Sequence, residues 1–137
     1  MDRRQADGEP AGAKYDGFLP GRHAIEAYGS GGFRFGGMSH RGSLLVAPSG
    51  VRAVPARDLS QVDKTTIAPL FAEQPGAVSL LLLGTGPSLV LPARALREQL
   101  KAHGIGVDPM ATAHAVATYN ILLGEGRPVA ALLLAAP

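Results

Sequence analysis

The sequence VSLLLLGTG occupies residues 78–86. Its four consecutive leucines leave no polar position to face water, which is typical of a central strand that is covered on both sides. The Gly-Thr-Gly that ends the stretch predicts a tight turn out of the sheet. We therefore expect a buried strand over residues 78–83, followed by a turn and a helix.

The chain after this strand alternates between helix and strand signals. Pro92 and Gly104 mark the start and the end of one helix, because proline suits a first helical position and glycine suits the residue after the last. Asp108-Pro109 and Gly124 mark a second helix in the same way. The predicted elements are a helix over 92–103, a strand over 105–107, a helix over 108–123 and a strand over 129–135. Right-handed crossovers of this β-α-β-α-β order would pack both helices against a mostly parallel arrangement of strands.

The chain before residue 77 has the pattern of short strands interrupted by glycine. Phe33 and Phe35 alternate with Arg34, as in a half-buried strand. Two apolar runs flank Pro48-Ser49-Gly50, as in a hairpin. The expected elements are strands over 24–28 and 33–35, a hairpin of 43–47 with 51–54, and a helix over 64–72.

Length and composition indicate one domain. The chain has 137 residues, of which 46% are hydrophobic, which is enough for one core. We predict a single three-layer α/β domain over residues 14–137, in which a central mixed sheet combines the β-α-β-α-β half with an N-terminal β-hairpin region. Residues 1–13 are polar and contain glycine and proline, so we expect them to form a flexible N-terminal tail.

Composition also excludes several classes of protein and of site. The chain has no cysteine, so disulfides, thiolate metal sites and thiol nucleophiles are excluded, and a reducing cytoplasm is the expected location. No apolar run approaches the ~20 residues that span a bilayer, and the first dozen residues lack the apolar stretch of a secretory signal. We therefore expect a soluble, cytoplasmic protein. Aromatic residues make up only 5% and no basic run is interleaved with them, which argues against nucleic-acid binding.

The glycine-rich turn and the start of the helix predicted from residue 108 form the candidate ligand site. Backbone N–H groups of such a turn can hold an anion beyond the carboxyl end of a strand, and a helix N-terminus beside it could share the anion. The candidate ligand-binding residues are Gly84, Thr85, Gly86, Thr112 and His114. Leu89 stands where a dinucleotide fingerprint needs a third small residue, and no GKS or GKT follows. A purely structural tight turn therefore remains the alternative.

Arginines concentrate in residues 22–57, which contain five of them and a single acidic residue, Glu26. This local excess of positive charge could attract phosphate or an acidic partner surface. Arg34, Arg41 and Arg52 are the candidate partner surface. The alternative is that the arginines are scattered over strand faces and turns.

Tyr119 and Asn120 lie too far along the second helix to reach the candidate ligand site, at more than ~10 Å beyond Thr112. Asparagine is unfavourable within a helix, so we expect Asn120 to form a specific hydrogen bond to a neighbouring loop. The ring of Tyr119 is expected to pack on the sheet. Both residues are predicted to support the fold.

No catalytic constellation is present. The four histidines show neither HxxxH nor HxH spacing, no paired carboxylates stand out, and no serine lies in a G-x-S-x-G elbow. We therefore predict no catalytic residue, no metal site and no cofactor, and favour a protein that is not an enzyme.

Four segments, in this order and spacing, resemble a small α/β family of unknown function, the Mth938-like family, which includes a mitochondrial complex I assembly factor, the adipogenesis-associated protein and many bacterial members. The segments are YGSGGFR (28–34), LGTG (83–86), GIGVDPM (104–110), and TYN (118–120) with EGR (125–127). The resemblance covers about residues 24–134 and implies a three-layer fold with a central mixed sheet and no established catalytic residues. Where relatives carry Cys-Arg, this sequence has Val116-Ala117.

Two functions follow from these observations. The first is a non-enzymatic binding or assembly module, of bacterial origin and with an unidentified protein partner. The second is a protein, with or without enzymatic activity, that binds a small molecule or phosphate and uses the loop at residues 84–86. The sequence does not indicate an oligomeric state.

Overall fold

Residues 14–135 are described by the computed structural model, and the predicted tail over 1–13 lies outside them. The strands are β1 (Phe18–Pro20), β2 (Ala27–Gly29), β3 (Gly32–Phe35), β4 (Met38–Arg41), β5 (Ser43–Ala47), β6 (Gly50–Val54), β7 (Leu80–Gly84), β8 (Gly106–Met110) and β9 (Val129–Leu133). The helices are α1 (Lys64–Phe71), α2 (Arg94–Lys101) and α3 (Thr112–Gly124), with a 3-10 turn over Leu59–Gln61. Within the described residues, no helix has the length and apolar character needed to cross a membrane.

Six of the strands form one mixed sheet in the order β1-β6-β5-β9-β7-β8, which we call the main sheet. β7 runs parallel to both of its neighbours, β8 and β9, whereas β5 pairs antiparallel with β9 and with β6. The predicted β-α-β-α-β order and the hairpin around Pro48 are confirmed. The prediction of a mostly parallel arrangement holds only for the three strands of the C-terminal half, because the hairpin joins them in the antiparallel sense.

The main sheet is covered on both faces, which makes the fold a three-layer α/β domain as predicted. Leu81 and Leu83 of β7 face the cluster that α1 and α2 contribute to, while Leu82 faces the cluster formed with α3 and the N-terminal strands. All three leucines are fully buried. The run of leucines therefore reflects a strand with no solvent-facing side.

The remaining strands form a second, smaller sheet in the order β2-β3-β4, which we call the small sheet. Two-residue turns join its strands, Ser30-Gly31 and Gly36-Gly37, with φ of 53° and 75° in the first and 54° and 75° in the second. Positive φ at both central residues is the requirement of the type I′ hairpin turn, and glycine meets it without steric cost. The strand predicted over 24–28 is present as the shorter and shifted β2, and the one predicted over 33–35 is present as β3 with one additional residue. Strands β1 and β4 were not predicted.

The prediction that Asp108-Pro109 starts a helix is wrong. Both residues belong to β8, paired with Leu82 and Leu83 of β7, and α3 begins only at Thr112. β8 is an edge strand with a neighbour on one side only, and proline is tolerated at an edge because its missing N–H need not cost a ladder bond. Pro92 likewise precedes its helix, since α2 begins at Arg94.

Helix α3 holds the segment that leads into the small sheet. The Asn120 side chain accepts a hydrogen bond from the N–H of Ile25 at 2.9 Å and donates one to the carbonyl of Ile25 at 2.8 Å. The preceding residue, the buried Tyr119, donates a hydrogen bond from its hydroxyl to the carbonyl of His23 at 3.2 Å. The predicted supporting role of both residues is confirmed, and the loop that Asn120 reaches is the one before β2.

Replacement of the Asn120 amide tests this anchor. Asn120→Ala leaves the N–H and the carbonyl of the buried Ile25 without their partner, so we expect the free energy of unfolding to fall by about 2 kcal/mol in denaturant titrations. The neighbouring Ile121 is exposed, and Ile121→Ala should change stability by less than about 0.5 kcal/mol. Equal stability of the two variants would contradict the anchor.

Candidate functional site

The structure brings the glycine-rich turn and the start of α3 together. The N–H of Gly86 donates to the Thr112 hydroxyl at 2.8 Å, and the N–H of Thr112 donates to the carbonyl of Gly86 at 2.8 Å. The same hydroxyl donates to the carbonyl of Leu134 at 2.8 Å. Thr112 is fully buried, so this reciprocal pair lies inside the domain and joins the end of β7 to α3 and to the residue after β9.

The donors that an anion would need at this turn are occupied by the protein. Besides the bond from Gly86 to Thr112, the N–H of Thr85 donates to the carbonyl of Met110 at 2.9 Å. Gly84 is packed as well, because a Cβ there would lie 3.0 Å from the Cα of Thr112. These contacts favour the structural-turn alternative for residues 84–86. His114 is exposed on α3, whereas Thr112 is buried, so the two candidate residues do not face one pocket.

A different surface has the geometry of a binding site, namely the outer face of the small sheet. It forms an open depression of about 400 Å³, which we call the small-sheet depression. Short side chains or none, at Ala27, Gly29 and Gly32, make up its floor, and Arg34, Arg41 and Ser39 stand around it. Two of the three arginines that the sequence singled out therefore lie on one surface.

Arg34 and Arg41 lie on the outer face of the small sheet because successive side chains of a strand point to opposite faces. Phe33 and Phe35 are buried beneath the small sheet, so Arg34 between them points to solvent, as the alternation predicted. Across the strands Arg34 pairs with Ser39, and Gly32 pairs with Arg41. Residues that face each other across a ladder share one face of a sheet, so both guanidinium groups emerge on the outer face.

Hydrogen bonds orient both guanidinium groups without burying them. Arg34 donates from Nη1 to the Ser39 hydroxyl at 3.3 Å, and its Nε lies 4.0 Å from Oε1 of Glu26. Arg41 donates from Nη1 to the carbonyl of Ser30 at 3.3 Å. The Arg34 side chain remains 56% exposed and Arg41 is also exposed, so each keeps its charge accessible to a partner.

Arg52 lies elsewhere. It pairs with Leu45 across the main sheet, and Leu45 faces the side of α1 and α2, opposite to the side that the small sheet covers. Its guanidinium carbon lies 4.7 Å from the ring centroid of Phe18, and its Nη1 donates to the Ser49 hydroxyl at 3.2 Å. Its local role is a cation–π contact on the edge strand β1.

Two titratable groups with shifted pKa values, Tyr15 and His40, lie beneath the small sheet. The Tyr15 hydroxyl donates to the carbonyl of Val51 at 3.0 Å, and its ring meets Phe35 and His40 edge-on at 4.9 and 5.1 Å. Burial raises the pKa of Tyr15 to about 12 and lowers the pKa of His40. Both therefore favour their neutral forms at neutral pH, and the charge of the small sheet comes from the arginines on its other face.

Ser39, Ala27 and Gly29 also belong to this surface, and they were not predicted as parts of it. The two-residue turns Ser30-Gly31 and Gly36-Gly37 have four residues between them, a spacing that predicts three short strands joined by two hairpins. This pattern would have placed the three residues on one small sheet. Within residues 14–135, no group of three or more His, Asp or Glu side chains is arranged to hold a metal ion.

Comparison with known proteins identifies relatives over most of the chain. A family described as "Protein of unknown function (DUF498/DUF598)" matches residues 25–134. An uncharacterized protein of Rhodobacter capsulatus is 38% identical over 123 residues, which is 90% of both chains. The NADH dehydrogenase [ubiquinone] 1 alpha subcomplex assembly factor 3 of Danio rerio is 29% identical over 113 residues, which is 82% of this chain and 64% of that protein.

Solved structures share the fold. A protein of Bartonella henselae described as an outer membrane protein superposes with a TM-score of 0.81 at 42% identity, over 86% of this chain and 98% of that one. A Mth938-like domain protein of Bordetella pertussis superposes with a TM-score of 0.72 at 26% identity, over 82% and 85%. The resemblance to the Mth938-like family is thereby confirmed.

The reciprocal bond at Thr112 makes the structural interpretation of the turn testable. Thr112→Val keeps the shape and removes the hydroxyl that Gly86 and Leu134 bond to, so the free energy of unfolding should fall by about 2–3 kcal/mol. Thr112→Ser keeps the hydroxyl and loses one buried methyl group, for a cost of about 1 kcal/mol. This interpretation would be contradicted if denaturant titrations showed Thr112→Ser to be less stable than Thr112→Val.

Proposed function

The chain belongs to the DUF498/DUF598 family of unknown function, and from that membership and the contacts above we propose a non-enzymatic module that binds an acidic segment of a partner protein. The binding surface is the small-sheet depression. The observation that carries the proposal is that Arg34 and Arg41 rise from one face of the small sheet beside a floor of alanine and glycine.

The charge of this region fits an acidic partner. Arg34 and Arg41 line the depression and no acidic residue among those described lines it, while Oε1 of Glu26 lies 4.0 Å from Nε of Arg34. A planar guanidinium can bind a carboxylate through two parallel hydrogen bonds, which gives orientation as well as attraction. Two such groups on one surface favour a segment with two or more carboxylates.

The floor of the depression allows a close approach. Gly29 and Gly32 face each other across β2 and β3, and neither presents a side chain. A partner main chain can therefore lie directly on the small sheet, while its carboxylates reach the arginines at the rim. The surface is also held in place from beneath, by the buried rings of Phe33 and Phe35 and by the Asn120 anchor to Ile25. Binding to a rigid surface costs little ordering entropy.

The similarity to an assembly factor supports a role in protein association. The protein of Danio rerio is named for the assembly of NADH dehydrogenase, and the aligned part covers 64% of its length. The occupied donors at residues 85 and 86 support the non-enzymatic part of the proposal, because they remove the anion cradle on which the small-molecule alternative was based.

Charge reversal of the two arginines tests the partner surface. We expect affinity purification from the organism that encodes the chain to recover a partner with the unaltered chain, and Arg34→Glu/Arg41→Glu to reduce that recovery at least about tenfold, since each reversed charge opposes an acidic segment. The matched control is Arg57→Glu/Arg127→Glu, which makes the same change of charge at two exposed arginines outside the depression.

Loss of the partner in both variants to the same extent would show that net charge alone matters and would overturn the assignment of the surface. Recovery of the same partner by all three chains would overturn it as well. Repeated purification without any partner would overturn the proposed function itself.

A thermal-shift screen with nucleotides and phosphorylated metabolites tests the non-enzymatic part. We expect no stabilisation, because the turn at residues 84–86 uses its donors internally. A tight ligand at a hundredfold excess over its dissociation constant would stabilise the chain by about 2.7 kcal/mol. A shift of that size would restore the small-molecule alternative.

A further inference from the structure

The loop between β7 and α2 exposes three consecutive aliphatic side chains. Leu89 is 56% exposed, Val90 46% and Leu91 70%, and we call these three residues the apolar tip. The other large hydrophobic residues exposed in the described part of the chain, Phe18 and Ile121, stand singly. A contiguous exposed apolar group carries a cost in water, and such groups mark contacts with something else.

The apolar tip is held in its exposed position by a buried group. Thr85 donates its hydroxyl to the carbonyl of Ser88 at 2.7 Å, and the same oxygen accepts the N–H of Val90 at 3.0 Å. Pro87 and Pro92 stand on either side of the tip and restrict the backbone there. These bonds fix the backbone of the loop in which Leu89 and Leu91 are exposed, and they give Thr85 a role within the turn.

Positive charge lies directly beside the tip. Only two residues separate Leu91 from Arg94, the first residue of α2. Arg94, Arg97 and Lys101 line one open groove of about 550 Å³ along α2, together with a single carboxylate, Glu98. Glu98 pairs with Arg94 at 3.1 Å, and the groove keeps an excess of positive charge.

We propose that the apolar tip inserts into the interface of an anionic lipid bilayer, with Arg94 and Arg97 on the phosphates of the headgroups. A protruding aliphatic group next to cations matches the two attractions that hold proteins at membrane surfaces, apolar burial and attraction to anionic lipid. A protein partner fits less well, because protein–protein hot spots are enriched in Trp, Tyr and Arg at their centres, and the tip is aliphatic only.

The contact is weak and reversible. A single myristoyl chain already gives only marginal membrane binding, with an association constant of about 10⁴ M⁻¹, and the three short side chains of the tip bury no more than such a chain. Binding therefore requires the basic residues as well, and it weakens as salt screens them. The tip lies in the loop after β7 and the partner surface lies on the small sheet, so this proposal does not rest on the proposed function.

Flotation of the full chain with lipid vesicles tests the proposal. We expect binding to vesicles of phosphatidylcholine mixed with phosphatidylglycerol and little binding to phosphatidylcholine alone. Leu89→Ser/Leu91→Ser should weaken binding roughly tenfold or more, as two apolar side chains are removed from the interface. Ile121→Ser is the matched control, because Ile121 is 62% exposed on α3 and away from the tip, and it should bind as the unaltered chain does.

A second pair of variants separates the role of charge. Arg94→Glu/Arg97→Glu should lose the preference for anionic vesicles, whereas Arg57→Glu/Arg127→Glu, with the same change of net charge, should largely keep it. All the altered side chains are exposed, so unchanged thermal unfolding of each variant verifies that the fold is intact.

Three outcomes would overturn the proposal. In the first, the unaltered chain does not bind anionic vesicles. In the second, the tip variant and the Ile121 control bind vesicles equally. In the third, the tip variant still binds vesicles as the unaltered chain does but loses a captured protein partner. The last outcome would assign the apolar tip to a protein interface instead.

Discussion

Strand β7 is buried on both faces, and the other layers of the domain are arranged to cover it. Because Leu81 and Leu83 need cover on one side and Leu82 on the other, the chain must supply two separate layers. Helices α1 and α2 form one of them. The other combines α3 with the small sheet, and the small sheet is the outermost element on that side. Its outer face is free to act as a surface because its inner face completes the core.

The end of β7 shows how one short turn can serve structure and surface together. Gly86 and Thr112 exchange hydrogen bonds and fix the start of α3 against the sheet, while Thr85 turns the other way and braces the loop that carries Leu89 and Leu91. A glycine-rich turn after a buried strand invites comparison with phosphate-binding loops. Here the Thr112 hydroxyl accepts from the N–H of Gly86 and the carbonyl of Met110 accepts from the N–H of Thr85, so the donors that a phosphate would need are used within the protein.

The two proposed contact surfaces differ in the physics that would make them work. The small-sheet depression offers guanidinium groups above a floor without long side chains, so it favours carboxylates on an extended chain. The apolar tip offers exposed aliphatic side chains with basic residues beside them, so it favours the interface of an anionic bilayer. One lies on the small sheet and the other in the loop after β7, and each is braced by a polar side chain, the partly buried Asn120 for the small sheet and the buried Thr85 for the tip. Rigid support of this kind lets a small domain expose groups that would otherwise fold back onto its surface.

The sequence alone determined the buried strand, the alternating order of the C-terminal half, the hairpin around Pro48, the outward direction of Arg34 and the family, because each of these depends on neighbouring residues or on ordered motifs. The assignment of Asp108-Pro109 to an edge strand depends on the packed sheet, since an edge is defined by which strands lie beside it. The packed sheets also place Arg41 beside Arg34 and Arg52 on a different surface. The decisive bonds are long-range: Gly86 and Thr112 are 26 residues apart, and Ile25 and Asn120 are 95 apart. No local pattern contains such pairs, because they exist only once the layers have packed.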